Sequence, residues 1–145
     1  MKTSLGYPDE AGERELVDRR ASRTDRTPAV EAGSVDPARL RRAPEAVHVA
    51  DEVRDYVVDL ARAIREDARV GTGVSPRGTQ RLFEAARARA VIAGREYVTP
   101  DIVTSVSRPV LAHRLVLTPD ARVNDTGKEE IIDAILDETP VPTIE

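Results

Sequence analysis

The chain has 145 residues, of which 40% are hydrophobic and 33% are charged, and this composition is typical of one folded domain with tails. It contains no cysteine, which excludes disulfides, thiolate zinc sites and cysteine nucleophiles. The formal net charge of −4 provides no general attraction to nucleic acid or anionic lipid. No apolar run is long enough to span a membrane and the first six residues do not resemble a signal peptide, so we expect a cytoplasmic protein.

The first third of the chain predicts few buried elements. Lys2–Leu5 can form the end of a strand that Gly6-Tyr7-Pro8 breaks, and a charged helix is predicted over residues 9–20. Residues 21–33 are rich in Ser, Thr, Arg, Asp and Pro without periodicity, which indicates a loop. A short helix is predicted to start at Asp36-Pro37 and to end at Pro44.

The segment from Asp51 to about Glu66 has the clearest periodicity, with apolar residues on one face of a helix and acidic residues in its first turn. A brief extended piece, Val47-His48-Val49, precedes it. Because only four residues of the chain are aromatic and none is tryptophan, the core should be formed by aliphatic side chains. The apolar face of this helix comprises Val53, Tyr56, Val57, Leu60 and Ile64.

Two further helices follow a turn at Gly71-Thr72-Gly73. The first starts at Pro76 and ends at Gly94, a residue suited to a C-terminal cap, and its alanines allow close helix packing. The second starts at Thr99-Pro100-Asp101, and Pro109 should kink or restart it.

The last part of the chain predicts one more helix. Residues 115–117 can be extended and residues 119–125 are predicted to be a linker. Thr126-Gly127-Lys128-Glu129 has the spacing of a capping box ahead of an apolar helix face, and that face needs a partner within this chain or on a neighbour.

The segment Gly73-Val74-Ser75-Pro76-Arg77 predicts an anion site. Ser75 can accept a hydrogen bond from the free N–H groups of the helix start, and Pro76 fits the first helical position. Arg77 then projects from a terminus that already carries partial positive charge. One interpretation is that Arg77 pairs with a carboxylate on the protein surface; the other is that it contacts a nucleotide phosphate held by another domain.

Other polar patterns have simpler explanations. Asp137-Glu138 follows an apolar run and Gly127-Lys128 resembles the end of a phosphate loop, but the full loop motif and a separate strand are missing. His48 and His113 lack a carboxylate cluster, so no metal site is predicted, and His113 is interpreted as a helix cap. Arginine clusters are interleaved with acidic residues and lack aromatic neighbours, which favours solvated helix faces over nucleic-acid binding.

Three segments together resemble the C-terminal helical lid of MoxR-type AAA+ ATPases: Gly73 to Arg77, Gly94-Arg95 to Asp101, and Val110-Leu111-Ala112-His113-Arg114. The resemblance implies an all-α fold, a small helical bundle with an N-terminal strand remnant and a C-terminal helical tail. It divides the chain into the end of the ATPase core strand and a hinge (residues 1–7), the lid (residues 8–113) and a tail with a short helix (residues 114–145).

The resemblance also implies a function. Arg77 would be the sensor 2 arginine, the catalytic residue that this lid supplies to ATP, and Gly6, Tyr7, Ser75 and Pro76 would lie near the nucleotide. The phosphate loop and the magnesium-binding residues are absent from this chain, so ATP and Mg²⁺ would be held by a core domain and the chain alone should be inactive. The expected partners are that core domain, neighbouring subunits of a ring and an unidentified client protein, with no nucleic acid.

The chain would be either a fragment of a larger ATPase or a reduced paralogue of one. For the complete protein, the resemblance implies a chaperone-like ATPase that assists the maturation of, or cofactor insertion into, partner proteins. The alternative is a stand-alone protein-interaction module without a nucleotide function. Self-association or exposed apolar surface would favour that alternative.

Overall fold

Six α-helices and a two-stranded sheet make up residues 36–143, the part of the chain that the computed structural model describes. The predictions for the first 35 residues, including the strand remnant and the hinge residues Gly6 and Tyr7, lie outside this part. In chain order the elements are α1 (Pro37–Arg42), α2 (Asp51–Glu66), β1 (Val70–Thr72), α3 (Pro76–Ile92), α4 (Pro100–Leu111), β2 (Val116–Leu117), α5 (Pro119–Val123) and α6 (Lys128–Glu138).

Helix α1 begins where its capping residues predict. The Asp36 carboxylate accepts a hydrogen bond from the Ala38 N–H at 2.8 Å, and Pro37 occupies the first turn. A 3-10 turn, Ala43–Ala46, follows and leads to an extended residue that bridges two parts of the chain. The His48 N–H donates to the Glu96 carbonyl at 2.8 Å, and the His48 carbonyl accepts from Val98 at 2.9 Å. The extended piece predicted here is confirmed.

Helix α2 spans the predicted residues and buries the predicted face. Its first turn carries Asp51 and Glu52 and its last turn carries Arg65, in agreement with the helix dipole. All five residues of the predicted apolar face are buried, together with Ala61. The helix therefore supplies one wall of the core.

Helices α3 and α4 pack against each other. Leu82, Ala86 and Ala90 are buried on α3, and the two alanines allow the close approach expected from their size. Gly94 follows the end of α3 with φ +68°, a conformation that favours glycine.

Helix α4 contains Pro109 and continues to Leu111, so the helix does not restart there, and the kink stays a prediction. The proline comes near the helix end and on its exposed side, where a missing N–H is tolerated. A 3-10 turn, Ala112–Arg114, follows the helix. The buried hydroxyl of Ser107 donates to the Val103 carbonyl at 2.8 Å and is therefore satisfied within α4.

Two predictions about loops were wrong. Gly71 and Thr72 form part of strand β1, because the extended segment from Leu115 pairs with them: β1 and β2 are antiparallel, with Val70 opposite Leu117. Residues 119–123 are a helix rather than a linker. The Thr118 hydroxyl accepts from the Ala121 N–H at 3.3 Å, and Pro119 occupies its first position.

Helix α6 starts one residue later than the predicted capping box. Gly127 is the capping residue, and its N–H donates to the Glu130 carboxylate at 3.4 Å. Its apolar face finds its partner within the chain, since Ile131, Ile132 and Ile135 are buried against α2 and α4.

The all-α fold is confirmed for the described residues, and the single core is aliphatic apart from Tyr56. Residues from both the predicted lid and the predicted tail enter this core, Leu115, Leu117 and Ala121 among them. The division at residue 113 stays a prediction.

Candidate functional site at the start of α3

Ser75 and Pro76 form the start of α3 as predicted. Ser75 is extended (φ −68°, ψ 162°), and its hydroxyl accepts a hydrogen bond from the Gly78 N–H at 3.2 Å. Pro76 is the first helical residue and has no N–H to satisfy. The first turn of α3 contains no acidic residue. The local sequence therefore creates a helix start whose partial positive charge is not neutralised by an acidic residue of its own.

Arg77 is the second residue of α3 and is exposed. Among residues 36–143 its side chain forms no ion pair and no hydrogen bond. The interpretation of Arg77 as half of a surface ion pair thus finds no partner in the described part of the chain. A guanidinium in this position can donate to an anion outside the domain.

Arg65 was not predicted as a site residue, yet it holds the segment that leads into α3. It lies in the last turn of α2, and its Nε donates to the Val74 carbonyl. Its Nη2 donates to the Thr79 hydroxyl at 3.1 Å. The only sequence signal was an arginine near a helix C-terminus, which does not reveal a partner 9 or 14 positions away.

Two glycines allow the chain to pass closely at this junction. A Cβ on Gly73 would lie 2.8 Å from the Arg65 Cα, so the segment before Ser75 rests directly on the backbone of α2. A Cβ on Gly78 would lie 2.7 Å from a Val74 methyl and 3.5 Å from the Arg114 Cδ. Val74 itself is 1% exposed. The start of α3 is therefore fixed by packing as well as by hydrogen bonds.

The remaining motifs have structural roles. Arg114, rather than the predicted His113, donates to a C-terminal carbonyl of α4, that of Val110, at 2.9 Å. Arg95 donates to the Thr99 hydroxyl at 2.9 Å and to the Asp101 carboxylate at 3.3 Å, which links the Gly94–Asp101 segment to the start of α4. The Thr99 hydroxyl, followed by Arg95, lowers the pKa of Asp101 below its usual value.

The structure brings no other predicted chemistry together. Within residues 36–143 no three His, Cys, Asp or Glu side chains are grouped as a metal site would require. Asp137 and Glu138 lie at the end of helix α6, whereas the Asp-Glu pair of a magnesium-binding element lies on a strand.

Known proteins similar to this chain establish its family. The AAA lid domain family matches residues 62–135, which run from α2 to α6 and include the whole α3 junction. The chain belongs to the AAA lid domain family. It is 32% identical to Chaperone MoxR1 of Mycobacterium tuberculosis over 99% of the chain, and 38% identical to Protein MoxR of Paracoccus denitrificans over 66%. It is thus a lid domain of the MoxR family of AAA+ proteins.

The lid accounts for only part of such proteins. The chain spans 40% of the length of the M. tuberculosis relative and 32% of that from P. denitrificans. A solved structure of a candidate ATPase from Cytophaga hutchinsonii has the same fold, with a TM-score of 0.70 at 21% identity, over 96% of this chain and 45% of that one. None of the helices in the described part of the lid has the length and apolar character needed to cross a membrane.

Proposed function

We propose that this lid supplies Arg77 as the sensor 2 arginine to ATP held by a MoxR-type core domain. The observation that carries the proposal is the exposed Arg77 side chain on the first turn of α3, without an anionic partner among residues 36–143. Its position matches that of the arginine in the Ser-Pro-Arg segment of the family that this chain resembles. The lid would thereby complete an ATP site to which other domains contribute most of the ligands.

The chemistry of phosphoryl transfer suits such a residue. Negative charge on the transferred phosphoryl group is stabilised by positioned cationic donors, and a guanidinium can donate two parallel hydrogen bonds to phosphate oxygens. The helix start adds partial positive charge at the same place. Because the lid is a separate unit from the core, a contact that exists only with ATP would also bias the orientation of the lid.

The other groups around ATP follow from the same proposal. Ser75 and Pro76 orient the helix start that carries Arg77, while Gly6 and Tyr7, which lie outside the described residues, would be near the hinge to the core. Mg²⁺ and the triphosphate would be bound by the core domain. Neighbouring subunits of a ring would supply the remaining contacts.

We extend the proposal to the complete protein, since one relative is named a chaperone. An ATP-driven change in lid orientation can transmit force or a binding signal to a client protein. The complete ATPase would use this to assist the maturation of, or cofactor insertion into, partner proteins. The role of Arg77 can be tested without a client protein.

The test measures ATP hydrolysis and nucleotide affinity when the chain is mixed with a separately made MoxR-type core domain. The wild-type chain should be inactive alone and should raise the activity of the core. Arg77→Ala should lower the restored hydrolysis by about 100- to 1,000-fold, the range expected when one donor to a transition-state oxyanion is lost. A smaller effect on ATP affinity is expected, because the charge is most concentrated in the transition state.

Arg89→Ala is the matched control, since Arg89 is an exposed arginine on the same helix. Twelve residues separate it from Arg77, which places it roughly 18 Å farther along the axis. This variant should restore hydrolysis as the wild type does. Equal activity of wild type and Arg77→Ala would refute the proposal, and a failure of every variant to act on the core would favour the interaction module that needs no nucleotide.

A further inference from the structure

Arg65 connects the end of α2 to the start of α3 through two nitrogens of its guanidinium group. Nε donates to the Val74 carbonyl, immediately before the capping residue Ser75, and Nη2 donates to the Thr79 hydroxyl at 3.1 Å, one turn into the helix. The two acceptors lie on either side of Arg77 in the sequence. Arg65 forms no ion pair with the described residues, so both contacts are directed to this junction.

The hydrogen bonds of this junction form a continuous chain. The Thr79 hydroxyl, which accepts from Arg65, lies 3.4 Å from the Ser75 carbonyl and can donate to it. The Thr79 N–H donates to the same carbonyl at 3.0 Å. The Ser75 hydroxyl in turn accepts from Gly78. Arg65 therefore restrains the backbone on both sides of Arg77.

Packing leaves the junction little freedom to compensate for the loss of Arg65. Gly73 lies against the Arg65 backbone, where even a Cβ would approach Cα to 2.8 Å, and Val74 is buried beside it. The guanidinium adds two hydrogen bonds to this packing, and Arg65 is exposed overall. Removing it would free the Val74 carbonyl and the Thr79 hydroxyl, while the apolar contacts of Val74 would remain.

We propose that Arg65 is a positioning residue that sets the direction in which α3 presents Arg77 to the nucleotide phosphate. This inference rests on the proposed role of Arg77. Misplacing a catalytic group by about 1 Å can cost a factor of about 100 in rate, so a partial loss of restraint should have a measurable kinetic effect. The fork geometry matters, because a lysine in this position has one nitrogen and cannot reproduce two donors at fixed angles.

The decisive experiment is a double-mutant cycle on ATP hydrolysis, with the chain mixed with the MoxR-type core domain. Arg65→Ala should lower kcat by about 5- to 10-fold with less than about a twofold change in KM, because orientation at the reacting phosphate is lost while most nucleotide contacts remain. In the Arg77→Ala background the same substitution should change kcat by less than about twofold, since it acts through the side chain already removed. Arg65→Lys should give an intermediate kcat.

Two further variants separate positioning from folding. Arg62→Ala is the matched control on the same helix, because Arg62 is exposed and its ion-pair partner among residues 36–143 is Glu66 at 3.8 Å. It should leave kcat unchanged. Thr79→Val removes one of the two acceptors at nearly constant volume and should lower kcat by about twofold, again only when Arg77 is present. This second cycle replaces the first if Arg65→Ala proves to be unfolded by circular dichroism.

The results distinguish a failure of the positioning role of Arg65 from a failure of the proposed function of Arg77. Suppose that Arg77→Ala lowers kcat. If Arg65→Ala then has the same effect on kcat in both backgrounds, or no effect, the positioning role is overturned and the function of Arg77 is left intact. An Arg77→Ala variant as active as the wild type would overturn both.

Discussion

Two arginines of this lid lie at opposite ends of helices, and the helix dipole acts on them in opposite ways. Arg65 lies in the last turn of α2, where a cation is favoured, and it donates to the carbonyl and hydroxyl of the next segment. Arg77 lies in the first turn of α3, where the dipole disfavours a cation. The first arrangement stabilises the domain by itself, whereas the second becomes favourable when an external anion binds.

A third arginine makes the stability of the lid depend on pH. Arg69 donates to the Asp67 carboxylate through Nε at 3.0 Å and Nη2 at 2.7 Å, and this hydrogen bonding lowers the pKa of Asp67 below its ordinary value of 3.8. Because the pKa is lower in the folded state, the ionised carboxylate stabilises the fold above the unfolded-state pKa. That contribution is lost as the pH falls through the lower, folded-state pKa.

Asp67→Asn should therefore be less stable than the wild type at about pH 7 and nearly as stable at about pH 2. The midpoint of urea unfolding, followed by circular dichroism at several pH values, measures the difference. Asp59→Asn is the control, since Asp59 is exposed on α2 and has no ion pair among the described residues. An Asp67→Asn deficit of the same size at both ends of the pH range would contradict the pairing.

At the scale of elements, the junction between β1 and α3 depends on close packing. A methyl group on Gly78 would lie 2.7 Å from a methyl of Val74, which is buried and has a stiff, β-branched side chain. Overpacking of this kind costs about 1–3 kcal/mol, of which the higher helix propensity of alanine returns up to about 1 kcal/mol.

Gly78→Ala should thus lower the free energy of unfolding by about 1 kcal/mol. Equilibrium urea unfolding at constant m-value would measure it. Gly71→Ala serves as the comparison, because its Cβ would meet no atom closer than 3.5 Å, and it should be nearly neutral. A Gly78→Ala variant more stable than the wild type would show that Val74 can move aside.

Elements with a long periodic pattern of apolar residues could be predicted from the sequence. Elements that depend on pairing with distant residues could not. The residue pattern of helix α2 alone predicts both its boundaries and its buried face. Strand β1 is three residues long and contains a glycine, so it exists because β2 pairs with it. Helix α5 did carry a local signal, Thr118 followed by Pro119, which the prediction of a linker overlooked.

In the candidate site, too, the residues that follow local rules could be predicted and the residue that depends on a distant contact could not. Ser75, Pro76 and Arg77 are adjacent, and capping rules place them on the first turn of a helix without further information. Arg65 reaches this turn only because α2 and α3 are packed side by side. A single sequence contains no local pattern for such a contact.

For the whole molecule, the C-terminal helix decides whether the bundle has a complete core. Helix α6 covers α2 and α4, and Arg108 of α4 pairs with Asp133 of α6 at the edge of this contact. Ile131 is 0% exposed and Ile132 is 1% exposed, so the two side chains are as deeply buried as those of α2. Residues 36–143 should therefore unfold as one cooperative unit that includes α6.

Ile131→Ala tests this directly, because it removes buried methyl and methylene groups from the contact of α6 with the rest of the core. A loss of about 2–5 kcal/mol is expected from the lost burial and the cavity left behind, a large part of the total stability of a domain of this size. Val141→Ala is the control, since Val141 is 64% exposed, and it should change stability by less than about 0.5 kcal/mol. Both values come from urea unfolding followed by circular dichroism. If Ile131→Ala lost less than about 1 kcal/mol, or if α6 unfolded in a separate transition, the helix would be an appendage rather than a part of the core.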